Sequence, residues 1–188
     1  MSDNDPVTEP HLPAPFGRDV FSSVWTRLMI RPYLLIDVDG VLNPFGSGVR
    51  PDGFSRHQLM GYEVWLSRRH GLWLNQLATW FDLVWATTWQ HDAPRLIAPI
   101  LELPTDLPVI ERSQGAADET WKLHDVERFV GNRPLAWIDD DLWGDAFAWA
   151  DQRNTPTLLI RTSSSVGLTE QDVWRLEAFG RAVADPDD

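Results

Sequence analysis

The sequence predicts a doubly wound α/β fold with a five-stranded parallel sheet. Short apolar runs of strand length recur along the chain, and segments of helical periodicity lie between them. The length of 188 residues suits one domain with a sizeable hydrophobic core. Strands that alternate with helices form Rossmann-like domains, in which helices cover both faces of the sheet.

The five candidate strands are short apolar runs of the kind that is buried on both faces of a parallel sheet. They are Tyr33–Ile36 and residues 83–86, 108–110, 135–138 and 157–160.

Helices are predicted between these runs and after the last of them. Two segments place apolar residues on one helical face, namely Trp73, Leu77, Trp80 and Phe81, and then Leu123, Val126, Phe129 and Val130. The last helix is predicted to begin at Thr169, whose hydroxyl can cap the first turn together with Asp172. It should bury Val173, Leu176 and Val183.

Residues 43–69 do not fit this alternation. Turn-forming glycines and a proline come first, and Tyr62, Val64 and Leu66 then follow at strand period. We interpret this segment as a β-hairpin flap. It is too short to form a large cap domain, so an open site is expected.

The two ends of the chain and its charge limit the possible roles. Residues 1–18 and 185–188 are predicted to be a disordered arm and an acidic tail, flanking a single domain at 19–184. A net charge of -12 disfavours extended nucleic-acid binding. No signal-like or membrane-spanning segment is apparent, which favours a soluble, cytoplasmic protein. Without cysteine, any metal requires oxygen or imidazole ligands.

The strongest chemical signal follows the first candidate strand, where residues 37–43 read Asp-Val-Asp-Gly-Val-Leu-Asn. Ligands of open parallel sheets bind beyond the carboxyl ends of the strands. Gly40 allows the chain to turn there, which would bring Asp37 and Asp39 to one site.

Three further signals follow later in the chain. Thr87 and Thr88 end the second candidate strand, and Lys122 lies near the start of a helix. Three acids in a row, Asp139, Asp140 and Asp141, end the fourth, and their repulsion is costly without a cation. Residue types alone leave open which threonine and which acids serve a site.

The order and spacing of these four signals resemble the haloacid dehalogenase (HAD) superfamily. The resemblance is closest to the HAD-like domain of Swiss Army Knife RNA-repair proteins, which show similar Asp-Val-Asp-Gly-Val-Leu-Asn-Pro and Trp-Ile-Asp-Asp strings. It covers residues 33–181 approximately, and residues 167–169, Gly-Leu-Thr, are also similar.

The resemblance implies a role for each matching residue. Asp37 would be the nucleophile that forms an aspartyl-phosphate, and Asp39 the general acid and base. Thr87, with Thr88 as the alternative, and Lys122 would stabilise the transferring phosphoryl group. Mg²⁺ would be held by Asp37, the backbone carbonyl of Asp39, Asp139 and Asp140. Thr88 and Gly40 are the candidate substrate contacts.

The sequence therefore favours a Mg²⁺-dependent phosphohydrolase acting on a phosphate monoester. A nucleotide, a nucleic-acid end and a small phosphorylated metabolite are all open as substrates. The alternative is a binding or regulatory protein on the same scaffold, because a fold does not establish turnover. A dehalogenase is disfavoured by Asp39, since expelling a halide needs no proton, and a phosphomutase is disfavoured by the absence of a large cap.

Overall fold

The structure is a computed structural model and describes residues 31–46, 52–113 and 119–184. The predicted arm and acidic tail lie outside these residues, as does part of the predicted flap. No helix within the described ranges has the length and apolar character that a membrane span requires.

The described chain alternates strands and helices in the predicted manner. The strands are β1 (Tyr33–Ile36), β2 (Ser55–Leu59), β3 (Tyr62–Leu66), β4 (Asp82–Trp85), β5 (Leu135–Asp139) and β6 (Thr157–Arg161). The helices are α1 (Arg68–Leu77), α2 (Leu123–Val130), α3 (Gly144–Gln152) and α4 (Glu170–Ala184). One turn of π-helix spans Ala93–Ile97.

Four of the strands form a parallel sheet in the order β4-β1-β5-β6. The chain first moves from β1 to β4 on one side and then crosses to β5 on the other. The order therefore reverses between β1 and β5. In an open parallel sheet this switch point, at the carboxyl ends of the strands, is where a ligand-binding crevice forms.

Hydrophobic clusters cover both faces of the sheet, because alternate residues of each strand point in opposite directions. Leu34 and Ile36 of β1 belong to the cluster that includes α1 and α4, whereas Leu35 belongs to the cluster that includes α2. The two clusters confirm helices on both faces.

The prediction of a fifth strand at residues 108–110 is wrong for the described chain. Val109 forms only an isolated bridge with Trp85. Pro108 has no amide hydrogen and cannot donate to a sheet ladder. Two backbone hydrogen bonds join the run to the edge strand β4, from the Trp85 amide to the Pro108 carbonyl and from the Ile110 amide to the Trp85 carbonyl, both at 2.8 Å, but they form a single bridge and not a strand.

Other boundaries also differ from the prediction. Helix α1 ends at Leu77, so Trp80 and Phe81 lie in the turn that leads to β4. Helix α3 was not predicted, because only Ala146 is buried along it and its apolar stripe is weak. Phe129, predicted to lie on the apolar face of the helix that is α2, is 37% exposed.

Strands β2 and β3 form an antiparallel hairpin within the segment interpreted as a flap. A two-residue turn at Met60 and Gly61 joins them, and both residues have positive φ. Positive φ at both central positions is typical of a tight hairpin turn. Val64 and Leu66 anchor the hairpin in the core, while Tyr62 is 68% exposed. Its action as a flap stays a prediction.

The start of α4 confirms the predicted cap. The Thr169 hydroxyl donates to the Asp172 carboxylate at 2.6 Å, and the Asp172 amide donates to the Thr169 hydroxyl oxygen at 3.3 Å. Amides in the first turn of a helix have no partner within the helix, so such caps stabilise its start. Val173 and Leu176 are buried as predicted, and Val183 is half-buried.

His70 on α1 yields a prediction about stability. Burial lowers the pKa of this imidazole to about 4, from a usual value of 6.5. The unfolded chain therefore binds a proton between these pH values that the folded chain does not bind. His70 accordingly stabilises the fold fully above about pH 6.5, and this contribution, about 3 kcal/mol, is lost as pH falls toward 4.

The measurement is urea unfolding of wild type and His70→Phe across this pH range. The variant loses the contact between His70 Nε2 and the Leu168 carbonyl, which shifts its stability by a constant amount. Between about pH 6.5 and 4, the free energy of unfolding of the variant should fall less steeply with decreasing pH than that of wild type. Parallel slopes for the two proteins would contradict the assignment.

Candidate active site

Lys122 joins two acids at the carboxyl edge of the sheet. Its Nζ atom donates to Asp37 Oδ2 at 2.5 Å, to Asp139 Oδ2 at 2.6 Å and to the Ala86 carbonyl at 3.0 Å. Lys122 is 4% exposed, Asp37 5% and Asp139 0%. An ammonium group has three hydrogens to donate, and here each has an acceptor.

The strand register explains how these residues meet. Ile36 of β1 pairs with Ile138 of β5 and Trp85 of β4, so the next position along β1 sets Asp37 beside Asp139 and Ala86. Lys122 immediately precedes α2, which begins at Leu123. Residues that are 85 positions apart thereby form a buried ion pair at the switch point.

The charges in this cluster alter one another. Burial opposes the charge on Lys122, but Asp37 and Asp139 outweigh that effect and raise its pKa. Burial and the charge of Asp37 raise the pKa of Asp139 to about 7, although Lys122 acts in the opposite direction. Burial and Asp37 also raise the pKa of Asp140. One lysine therefore does not fully offset three crowded carboxyl groups, and a further cation would stabilise their charged forms.

Asp37, Asp139 and Asp140 form a group that can hold a cation. Each offers a carboxylate oxygen, and these atoms all lie within 4.8 Å of one another. Gly40 permits this arrangement, since a Cβ atom there would lie 2.2 Å from the Asp140 carboxyl carbon, and its φ of +72° also disfavours a side chain. An all-oxygen donor set suits Mg²⁺.

The Asp39 carboxylate is not a member of this group and is held by other residues. Asn43 Nδ2 donates to Asp39 Oδ1 at 2.7 Å, and Trp89 Nε1 donates to Asp39 Oδ2 at 2.9 Å. Asn43 Oδ1 accepts from the Trp65 amide of β3 at 2.8 Å, so the same side chain connects Asp39 to the hairpin. These hydrogen bonds fix the orientation of the Asp39 carboxylate.

The two threonines after β4 occupy different environments. Thr87 is 1% exposed, and its hydroxyl oxygen accepts from the Trp89 amide at 3.4 Å. Thr88 is exposed and lines an adjoining cavity together with Asp39. Lys122 contacts the carbonyl of Ala86, the residue before Thr87, which places Thr87 next to the buried cluster.

The third acid after β5 is separate from the cation group. Asp141 Oδ1 accepts from Trp143 Nε1 at 2.6 Å, and the Asp141 amide donates to Asp139 Oδ1 at 2.9 Å. The backbone of Asp141 therefore orients Asp139 while its carboxylate binds the neighbouring indole.

A family model for the HAD domain in Swiss Army Knife RNA repair proteins matches residues 33–173. The match covers about three quarters of the 188-residue chain and includes every site residue described above. The chain belongs to this family. A search of the curated proteins found no match.

Membership of the HAD family agrees with the α/β fold and its parallel sheet. The matched region begins at β1 and ends at Val173 within α4, so it spans the whole four-stranded sheet.

The contacts of some residues of the site were not predicted from the sequence. Asn43, Trp89 and Trp137 bind the carboxylates of Asp39 and Asp139, and Trp137 Nε1 lies 3.1 Å from Asp139 Oδ2. One feature of the sequence could have singled out Lys122. Of the 16 lysine and arginine residues, it is the only lysine. A chain that uses arginine at all its other cationic positions retains lysine where a compact ammonium is buried.

Proposed function

We propose that this chain is a Mg²⁺-dependent phosphohydrolase that acts through an aspartyl-phosphate on Asp37. The observation that carries the proposal is the buried Asp37 carboxylate, bound by Lys122 at 2.5 Å beside Asp139 and Asp140. Asp39, two residues farther on, supplies a separate acid at the same edge of the sheet. A carboxylate nucleophile with a second carboxyl group for proton transfer is what two-step phosphoryl transfer requires.

In the first step, an oxygen of Asp37 attacks phosphorus while the bond from phosphorus to the leaving oxygen breaks. Asp39 donates a proton to that oxygen, so the leaving group departs as an alcohol. In the second step, Asp39 removes a proton from water as the water oxygen attacks the aspartyl-phosphate. Inorganic phosphate leaves and Asp37 is regenerated. Asn43 and Trp89 keep Asp39 in one orientation through both steps.

Lys122 and Thr87 act on the charge of the transferring group. The Lys122 ammonium, bound to Asp37, reduces repulsion between the nucleophile and a phosphate dianion. The buried Thr87 hydroxyl donates to a phosphoryl oxygen. Asp37, Asp139, Asp140 and the Asp39 carbonyl would hold Mg²⁺, which when bound offsets the negative charge of the phosphoryl oxygens.

The substrate proposed here is a phosphate monoester, either a phosphorylated small molecule or a nucleic-acid end. The association of the family with RNA repair supports a nucleotide or nucleic-acid end. The net charge of -12 argues against an extended nucleic-acid footprint. We place the activity in the cytoplasm.

The proposal is tested by measuring phosphate release from nucleotides, end-phosphorylated oligonucleotides and small phosphate esters, with and without Mg²⁺. Turnover that requires the metal is the expected result. If no compound of the panel released phosphate, the result would contradict the proposal and favour a binding protein on the HAD scaffold.

The two threonines provide a prediction about the phosphoryl contact. Thr87→Val keeps the side-chain shape but removes the hydroxyl, so kcat should fall about a hundredfold. Thr88→Val is the matched control. With acetyl phosphate, whose small leaving group does not need the cavity that Thr88 lines, it should change kcat by less than about threefold, because this side chain is exposed. Steady-state kinetics on one substrate checks both variants. A larger loss for Thr88→Val would assign the contact to Thr88.

A further inference from the structure

We propose that the cavity beside Asp39 receives the leaving group of the substrate, and that this group is a single nucleoside with no phosphate beyond the scissile one. This inference rests on the proposed function and deepens it, because it names the class of monoester. It concerns the residues that line the cavity around the Asp39 carboxylate.

The position of the cavity relative to Asp39 identifies what it binds. Asp39 must be within hydrogen-bond reach of the leaving oxygen in order to protonate it. The cavity is bounded by Asp39 together with Asn43 and Trp89, the two residues that orient the Asp39 carboxylate. Lys122, Asp139 and Asp140, which surround the nucleophile, do not line it. It therefore lies on the leaving-group side of the reaction.

The walls of the cavity suit a flat, apolar-faced group. Phe45, Met60 and Tyr62 line it and are 49%, 57% and 68% exposed. Large apolar side chains exposed together at one mouth indicate a binding surface. Trp89 and Val64 contribute further apolar surface. Aromatic side chains stack on any nucleobase, since every base has a π-face.

The volume of the cavity is about 550 Å³. Sites for small molecules and cofactors span about 300–1,000 Å³, so a nucleoside fits whereas a folded nucleic acid does not. The hairpin supplies one wall through Met60, Tyr62 and Val64, and Asn43 connects that wall to Asp39.

The charge of the lining disfavours a second phosphate. Glu63 and Asp92 line the cavity in addition to Asp39. Arg56 pairs with Glu63 at 3.2 Å and Arg95 pairs with Asp92 at 2.5 Å. Neither arginine is among the described lining residues, so the surface toward the cavity is acidic. Carboxylates accept hydrogen bonds from hydroxyl and amino groups, which a nucleoside carries. They repel phosphate, and a repulsive element of this kind discriminates against the wrong ligand.

The test compares kcat/KM with Mg²⁺ for acetyl phosphate, glycerol phosphate, nucleoside 3′- and 5′-monophosphates, a nucleoside 3′,5′-bisphosphate and an end-phosphorylated dinucleotide. Acetyl phosphate reports the chemistry at Asp37, because acetate is small and leaves without a proton from Asp39. A nucleoside monophosphate should exceed glycerol phosphate by at least about tenfold, the size of one aromatic stacking contact. The bisphosphate and the dinucleotide should both fall below the monophosphate.

Two variants test the cavity residues, and a third is a control outside the cavity. Tyr62→Ala should lower the ratio of nucleotide to acetyl phosphate kcat/KM by about tenfold. Trp174→Ala removes an aromatic side chain that is 62% exposed on α4 and should leave this ratio unchanged. Glu63→Gln combined with Asp92→Asn should raise the relative kcat/KM of the bisphosphate several-fold, because two repelling carboxylates become neutral.

The outcomes separate the two proposals. If no compound is hydrolysed, including acetyl phosphate, the proposed phosphohydrolase activity is wrong. If acetyl phosphate is hydrolysed but glycerol phosphate equals the nucleotides, or Tyr62→Ala leaves the ratio unchanged, the cavity is not a nucleoside site. Preference for the dinucleotide over the mononucleotides would overturn the exclusion of a further phosphate.

Discussion

Replacing Asp37 with Asn is expected to abolish phosphate release, with a loss of at least about a thousandfold, while the fold remains intact. An amide oxygen cannot form the aspartyl-phosphate, and Lys122 loses one of its two carboxylate partners. The substitution also removes a charge that raises the pKa of Asp139 and Asp140. Thermal stability should therefore be equal to or above that of wild type. Phosphate release and thermal unfolding check the two results.

Asp141→Asn is the matched control for this variant. It makes the same chemical change in an acid of the same region, but the Asp141 carboxylate binds Trp143 and lies outside the cation group. Activity should stay within a fewfold of wild type. If Asp37→Asn turned over normally, or if both variants lost activity equally, Asp37 would not be the nucleophile.

Replacing Lys122 with Met is expected to destabilise the fold in a way that depends on pH. Removing one partner of a buried ion pair leaves uncompensated charge and costs about 3–5 kcal/mol. Asp139, with a pKa of about 7, relieves part of this cost at lower pH by taking up a proton. An acid whose folded pKa is raised destabilises the fold increasingly as pH rises. Because Lys122 lowers the pKa of Asp139, its removal raises that pKa further above 7, so the loss should be smallest near about pH 5 and should still be growing above about pH 8.

Urea unfolding of Lys122→Met across this pH range, with and without Mg²⁺, checks the prediction. The cation should restore part of the lost stability, because it offsets the same carboxylates. Arg56→Met is the control, since it breaks an exposed ion pair with Glu63 at 3.2 Å and should cost less than about 1 kcal/mol. A loss for Lys122→Met that is independent of pH and of Mg²⁺ would contradict the charge balance described for this site.

The fold was largely predictable because buried parallel strands leave a local signal. β1 matches its predicted bounds, and β4, β5 and β6 differ from theirs by one residue. The errors occurred where tertiary context decides the outcome. Val109 has strand character, yet Pro108 prevents a continuous ladder. Helix α3 buries only Ala146, so its sequence carries little periodicity.

The site was predictable in part. Asp37 and Asp139 lie at strand ends, which is where a parallel sheet collects ligand-binding groups, so their proximity followed from the order of the strands. The hydrogen bonds that hold the Asp39 carboxylate could not be predicted in this way. Trp89 is 50 residues from Asp39, and their contact depends on how the loop after β4 folds. Sequence periodicity describes regular elements and carries no information about contacts between loops.

The most direct test of the account is to trap the covalent intermediate. Wild type and Asp37→Asn are mixed with Mg²⁺ and a substrate labelled in its phosphoryl group, quenched in acid within one turnover and digested. The account predicts a label on the peptide containing Asp37 that hydroxylamine releases, and no label in the variant. A label on another residue, or phosphate release by Asp37→Asn at the wild-type rate, would contradict it.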